Sequence, residues 1–444
     1  GFPMVDSQRF RRIMLLALPI IGGMVSQNIL NLVDTAMVGT LGDAALAAVG
    51  LGGFMNFMFI ALILGVSTGV QVMTARRKGE GRFGDLALPL NSGLLLVAMG
   101  APVLSAALYL AIPSIFPLFN GDPEVVEHGV PYLQARVLAI LFIGGNFAFR
   151  GYWNAIDLSR YYMGTLIVMH AINIFLNWVL IFGNLGAPAL GVEGAGIASA
   201  LSTMVGLAIY VWLGYRYARP AGFLRRLPPR EEIVGLFRLS LPTGIQQLFF
   251  STGFVVLFWI IGVVGTRELA AASVLINVML VALLPGLGLG LAASTLVGQA
   301  LGRKEPDDAA QWGWDVAKVG AVMMGALGAP LVIWPDPILG VFIHDPATID
   351  VARLPARFMG LSMAIEALGM VLMHSLLGAG DARRVMFISV GVQWLVFLPL
   401  AYLIGPVIGL GLTAIWALQA SYRVLQSGIF TFFWMQRRWA HIVV

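Results

Sequence analysis

Cysteine is absent from the 444 residues, which excludes disulfides, thiolate nucleophiles and Cys-ligated metals. Histidine is scarce, with five residues and no HxxxH or HExxH pair, so no metal site is expected. No phosphate loop, nucleophile elbow or Ser-His-Asp arrangement occurs, and the GLGLG at 286–290 lies inside an apolar run. A membrane-embedded enzyme would need a catalytic dyad or a metal set that these residues do not supply. The expectation is therefore a non-enzyme without a resident cofactor. Charge is also sparse, with 11% of residues Asp, Glu, Lys or Arg. The net charge of +5 sits in short clusters between apolar runs, a pattern that suits anionic lipid rather than nucleic acid.

What remains is hydrophobic. The chain is 59% apolar with a mean hydropathy of +0.87, too high for a soluble protein of this size. A bilayer core of about 30 Å needs roughly 20 apolar residues per helix. Twelve such segments lie near 14–38, 44–74, 86–111, 124–153, 161–183, 192–217, 235–264, 269–301, 311–334, 350–378, 385–404 and 408–435. The first is too long, and too polar at its far end, to read as a cleaved signal peptide. The preceding GFPM reads as no structural element. Basic clusters fall at the N-terminus and in every second loop, among them Arg76, Arg77 and Lys78, then Arg225 and Arg226, then Arg303 and Lys304, then Arg383 and Arg384. The intervening loops carry only Arg267. By the positive-inside rule both termini are cytoplasmic.

The chain also repeats itself. LALP at 16–19 returns as LSLP at 239–242 and FNGDPEVVE at 119–127 as FIHDPATID at 342–350, both offset by 223 positions, and VGTLGDAALAA at 38–48 returns as VGTRELAAA from 264, offset by 226. AIDLSR at 155–160 likewise answers GAGDARR at 378–384. Six helices return each half to the same side, so the halves are parallel repeats about an axis along the membrane normal. The predicted fold is an all-α polytopic membrane protein of twelve transmembrane helices in two six-helix lobes, 1–216 and 233–444. The polar stretch YARPAGFLRRLPPREE at 217–232 reads as a cytoplasmic hinge linker. Pro19 and Pro242, at equivalent positions, each remove a helical hydrogen bond and permit a bend. PGLGLGLAAS at 285–294 reads as a weak, breakable helix.

Intramembrane polar residues are few. Asp34 is the foremost, because a charge at mid-span costs roughly 2.5–3.5 kcal/mol and is functional by default. Gln27, Asn31 and Asp34 follow at i, i+4 and i+7, one helical stripe. Asn173 and Asn177 share a face of segment 5 with His170, which sits nearer the helix end and reads as solvated. Glu366, one turn past Ser362, is the acid of segment 10. The repeat puts Leu257 opposite Asp34, and aligning IFG with LIG puts Val392, Leu395 and Pro399 opposite His170, Asn173 and Asn177. On that alignment the polar site belongs to the first half alone.

Taken together, VDTAMVGTLG closing segment 1, the DPEV and DPAT loops and GAGDARR after segment 10 resemble the multidrug and toxic compound extrusion (MATE) transporters, most nearly their DNA-damage-inducible F branch. The resemblance runs through nearly the whole chain. It implies two lobes that open alternately and exchange a cationic amphiphile for protons or sodium. It places the coupling acid at Asp34 and surrounds it with Asn173, Asn177 and a segment 6 hydroxyl matched by Ser199. Asn177 stands where some members carry aspartate, which favours protons over a tight sodium cage. Glu366 matches the segment 10 acid of the sodium-linked branch, whose segment 7 acid is replaced by Ser251. The implied protein is a monomeric, proton-coupled exporter of small cationic amphiphiles in the bacterial inner membrane. The alternatives are sodium coupling, with weak Na+ binding at Asp34, Asn173 and Asn177, and a lipid-precursor flippase of the same superfamily.

Overall fold

Long uncharged runs of Leu, Ala, Val and Ile can satisfy their backbone polar groups in hydrocarbon only from within, and these runs fold as helices. The computed structural model describes residues 5–444, which excludes GFPM, and among the described residues there is no strand. The first half contains α1 (Ser7–Gly39), α2 (Asp43–Gly79), α3 (Leu88–Phe119), α4 (Pro123–Val137), α5 (Ile140–Ala155), α6 (Ser159–Phe182) and α7 (Val192–Leu213). The second half contains α8 (Arg230–Val264), α9 (Thr266–Ala282), α10 (Leu284–Gly302), α11 (Pro306–Ile333), the short α12 (Pro335–Leu339), α13 (Pro346–Gly378), α14 (Ala382–Gly391), α15 (Leu398–Tyr402) and α16 (Leu412–Gln436).

Among the described residues ten helical stretches are long and apolar enough to cross a membrane, and α4 with α5, bent by 51°, makes an eleventh. The twelfth expected segment is α16, whose 25 residues suffice in length but carry Gln419, Arg423 and Gln426. The α4–α5 bend has a local cause. Ser105 donates its hydroxyl to the Val137 carbonyl at 2.7 Å, a side chain entering the helical ladder where α4 ends. Segment 8 breaks at Leu283 rather than within its glycines. Pro285 opens α10, where its missing N–H costs nothing, and the glycine run beyond is helical and buried. Gly290 shows why: an added Cβ would lie 2.7 Å from the His374 ring.

The repeated motifs have physical counterparts. Asp122 caps α4 by accepting the Glu124 N–H at 3.0 Å, and Asp345 caps α13 by accepting the Ala347 N–H at 3.1 Å, each followed by proline at the first helical position. The left-handed turn that Gly380 makes at φ 95° is made by Asp157 at φ 62°, its partner at the same offset. Aspartate is among the few side chains that tolerate this region.

Contacts divide the chain into two compact units, one of residues 1–21 with 245–444, the other of 22–244. They differ from the sequence halves expected at 1–216 and 233–444. The first part of α1 packs with the second half of the chain, and the first part of α8 packs with the first half. Both handovers come just past a proline, Pro19 and Pro242, and again 223 positions apart. Glycines receive the exchanged ends at equivalent positions. A Cβ on Gly65 of α2 would lie 2.1 Å from the Ser240 carbonyl oxygen, and one on Gly288 of α10 would lie 2.4 Å from Ile21.

The stretch 217–232 is not the loose hinge its composition suggests. Phe223 is fully buried against Phe149 and Tyr215, and the Asn91 side chain clamps the chain by donating to Gly222 O at 2.9 Å and accepting from Leu224 N at 3.0 Å. Arg77 pairs with Glu232 where α8 begins. Polar composition marks exposure of the arginines, but the aromatic at its centre fixes the segment to unit 22–244.

Candidate functional site

Helix α1 reaches its polar stripe after Gly22 and Gly23, which let α6 approach closely. A Cβ on Gly23 would meet the Tyr162 ring at 2.7 Å, and one on Gly22 the Met163 sulfur at 2.8 Å. The two helices then run parallel in a fixed register. His170 Nε2 lies 3.0 Å from Gln27 Oε1, and seven residues further along both helices Asn177 donates its amide to the Asp34 carboxylate. Seven residues is two turns, so both contacts recur on the same faces. His170 Nδ1 adds a contact of 2.9 Å to the Ser26 hydroxyl, and Gln27 donates to Asn31 Oδ1 at 3.2 Å. His170 is therefore buried and bonded rather than solvated.

Asp34 is half-buried, its carboxylate held by an amide and by no ion pair within 4.0 Å among the described residues. An amide suits either protonation state of such an acid. The Asn177 NH2 donates to the carboxylate, and a flip presents Oδ1 to the O–H of the neutral acid. That Oδ1 is buried and has no hydrogen-bond partner in the present arrangement. Asn173, one turn earlier, is buried with its own Oδ1 unpartnered. Two buried amide oxygens and one carboxylate thus line a single stretch of the α1–α6 contact.

Ser199 is buried on α7, and its backbone carbonyl accepts from Ser202 at 2.9 Å, while no hydrogen bond joins its hydroxyl to Asp34 or the asparagines. Glu366 belongs to the other unit. There it accepts from Arg423 Nε at 3.0 Å and from the Ser362 hydroxyl at 3.2 Å, with its side chain 3% exposed. A pocket about the size of one water adjoins it, lined by Ser362, Gln419, Trp416 and Met359. Ser251 donates to backbone carbonyls of its own helix. No group of three or more His, Asp or Glu that could hold a metal ion occurs among the described residues.

Two basic residues of this chemistry escaped the sequence reading. Arg423 is the counter-charge of Glu366, and Arg136 on α4 donates to the Tyr132 hydroxyl at 3.0 Å. Counting the arginines left inside spans, rather than those in loops, would have found both.

The second half also corrects the expected alignment. Gln246 donates to Ser389 at 3.1 Å and Gln393 to the Phe250 carbonyl at 3.4 Å, so α8 meets α14 and the π-helical Val392–Phe397 in the register by which α1 meets α6. At this level the offset is 223, and the counterpart of His170 is Gln393 rather than Val392. The second half thus keeps a polar tie at this position. It lacks the acid, since Leu257 and Leu400 stand where Asp34 and Asn177 stand.

A duplicated helical membrane protein with a titratable group inside a span has the architecture of the membrane transporters. The comparisons narrow this class. The MatE family model matches residues 19–179 and 242–403, one match in each half. A "Probable multidrug resistance protein NorM" of Thermotoga maritima is 28% identical over 433 residues, covering 96% of this chain and 92% of its own length. A protein of the same description from Pseudomonas aeruginosa is 30% identical over 418 residues, covering 91% and 85%. The fold superposes on an outward-facing multidrug resistance MATE family transporter of the MOP superfamily with a TM-score of 0.89 at 21% identity, over 98% of this chain and 97% of that one. The chain belongs to the MatE family.

Proposed function

We propose that this chain is a secondary-active multidrug exporter of amphiphilic organic cations, driven by protons through Asp34, in the bacterial inner membrane with both termini cytoplasmic. The observation that carries the reading is the half-buried Asp34 carboxylate inside a membrane span, held by the ambidentate Asn177 amide and by no Lys or Arg side chain within 4.0 Å among the described residues. Ionised, it attracts a lipophilic cation; protonated, it releases that cation and the amide flips to accept its O–H. Substrate and proton compete for one charge, so their fluxes are exchanged. Each proton entering down the membrane potential supplies about 2.3 kcal/mol per 100 mV. The names of the relatives support drug export, and the Glu366–Arg423 pair supports leaving the other acid out of coupling, because its charge is already met. The monomer is the expected working unit, with the two repeats as its moving lobes.

One observation favours a second reading, sodium coupling: the unpartnered Oδ1 atoms of Asn173 and Asn177 beside the Asp34 carboxylate are oxygen donors for a hard monovalent cation. Reconstituted vesicles under separate proton and sodium gradients distinguish the two. Asp34→Asn is expected to abolish proton-driven dye efflux with the protein still folded, and Glu366→Gln to matter less. Wild-type efflux from Asp34→Asn would sink the mechanism, and the reverse ranking would move coupling to Glu366.

A further inference from the structure

Helix α7 ends where the hydrocarbon of a bilayer ends. Its 22 residues rise about 33 Å, close to the thickness of the hydrocarbon core. Trp212 in its last turn is 62% exposed, and Tyr215 and Tyr217 just beyond are exposed as well; Trp and Tyr gather at membrane–water boundaries. The connecting segment that follows, a π-helical turn at Gly214–Ala218 and a tight turn at Arg219–Ala221, therefore runs at headgroup level. It presents apolar side chains outward. Leu227 is 82% exposed, and Leu224 is exposed with φ 53°, the left-handed region that leucine rarely adopts. The Leu224 N–H is tied to Asn91 Oδ1 at 3.0 Å, so the backbone is held in this strained form with its side chain outside. Exposed Phe83 is brought alongside, because Gly222 approaches Gly84 so closely that an added Cβ would lie 3.1 Å from the Gly84 carbonyl oxygen.

The basic residues near this segment fall into two sets. Lys78 pairs with Asp157, Arg82 with Glu80 and Asp85, and Arg226 with Asp85. Arg160, Arg216 and Arg225 are exposed, and their guanidinium groups make no ion pair or hydrogen bond among the described residues. Ring contacts join this second set to the apolar side chains. Arg160 lies over Tyr161 at 5.1 Å from its centroid, and Tyr161 stacks on Tyr217, the neighbour of Arg216, at 5.1 Å. Tyr215 packs on Phe223 at 5.5 Å, directly before Leu224 and Arg225. Uncancelled positive charge and exposed apolar surface thus share one continuous patch of unit 22–244.

We propose that this patch docks on anionic phospholipid: Arg160, Arg216 and Arg225 meet the headgroup phosphates, while Leu224, Leu227 and Phe83 enter the boundary between headgroups and acyl chains. The two kinds of residue call for the same partner. A leucine left in water gains nothing, whereas at the membrane boundary it buries its apolar surface. Guanidinium groups without a carboxylate favour negative charge beside them, which an anionic leaflet supplies. The connection between the two repeats is thereby seated on lipid on one side and on Phe149 and Asn91 on the other. The proposal is independent of the reading of Asp34.

Because the chain has no cysteine, Leu227→Cys carries a single bimane label. In nanodiscs, the full-length labelled protein reports contact through quenching by lipids brominated near the top of their acyl chains. Brominated phosphatidylglycerol is expected to be preferred over brominated phosphatidylcholine by about fivefold or more, the factor for one arginine worth about 1 kcal/mol at an anionic surface. Arg160→Gln, Arg216→Gln and Arg225→Gln together should bring this ratio to about one. The three corresponding Lys substitutions should keep it, because attraction to an anionic leaflet needs the charge alone. A ratio of about one in the labelled parent, or an unchanged ratio in the folded glutamine variant, overturns the proposal. A label quenched by iodide in water and by neither lipid also overturns it, since the patch then faces solvent. So does loss of the preference on adding inorganic phosphate at constant ionic strength, which would assign the arginines to a soluble anion.

Discussion

Asn177 donates its side-chain amide to the Asp34 carboxylate two helical turns beyond the point where His170 meets Gln27, so one helix interface carries both contacts at a constant separation in sequence. On the coupling proposed above, the identity of residue 177 sets the ion choice. An amide contributes one neutral oxygen, whereas a carboxylate would contribute two oxygens and a charge. Asn177→Asp is expected to make transport sodium-responsive: dye efflux from vesicles at fixed pH should rise with an imposed sodium gradient in the variant and stay flat in wild type. A flat response in a folded variant would show that charge at this position does not select the ion.

Much of this was legible in the sequence because its causes are local. The DP motifs could be placed in outer loops, and the structure shows them to be helix caps; the offset of 223 could be read from them before any contact was known. Asp34 and Asn177 stood out because charge and paired amides are rare in apolar spans. What the sequence concealed was tertiary. Nothing in LALP or LSLP says that the residues before each proline pack with the other half of the chain. Phe223 lies in a charged, proline-rich stretch, and only the space beside Gly214 and Phe149 explains why it is buried. The second-half register was misjudged by one residue because IFG and LIG are weak markers, while Gln246 and Gln393 fix it through bonds that cross between helices. Arg136 and Arg423 were hidden by a rule that reads arginines in loops and passes over those in spans.

The close approach of α2 and α8 makes a different kind of prediction. An alanine at Gly65 would place its Cβ against the Ser240 carbonyl and the Gly244 nitrogen, backbone atoms that cannot swing aside as a flexible side chain would. Gly65→Ala is expected to destabilise the protein by about 1–3 kcal/mol, the usual cost of overpacking. Gly50 lies on the same helix with nothing within 4 Å of the added carbon, and Gly50→Ala should stay within about 0.5 kcal/mol of wild type. Denaturant unfolding in detergent micelles compares them. Equal stability of the two variants would mean that the exchanged start of α8 is not seated on α2 as described.

Glu366 and Arg423 raise the question of what a membrane-buried ion pair is for. The pair is close, 3.0 Å from Nε to Oε1, and the side chains are 3% and 16% exposed. Removing one partner leaves a charge without compensation in a medium that solvates it poorly, and such losses run to about 3–5 kcal/mol. Arg423→Met should therefore unfold markedly earlier in a thermal melt. Adding Glu366→Gln to it removes the stranded charge while keeping a group that can still accept from Ser362, and the double variant should recover most of the lost stability. If Glu366 instead serves as an open cation site, with Arg423 incidental, the single arginine variant would melt as wild type and the double variant would gain nothing. Recovery in the double variant, with proton-driven efflux intact, would mean that Arg423 and Glu366 cancel one another inside their own unit and leave Asp34 as the acid that titrates.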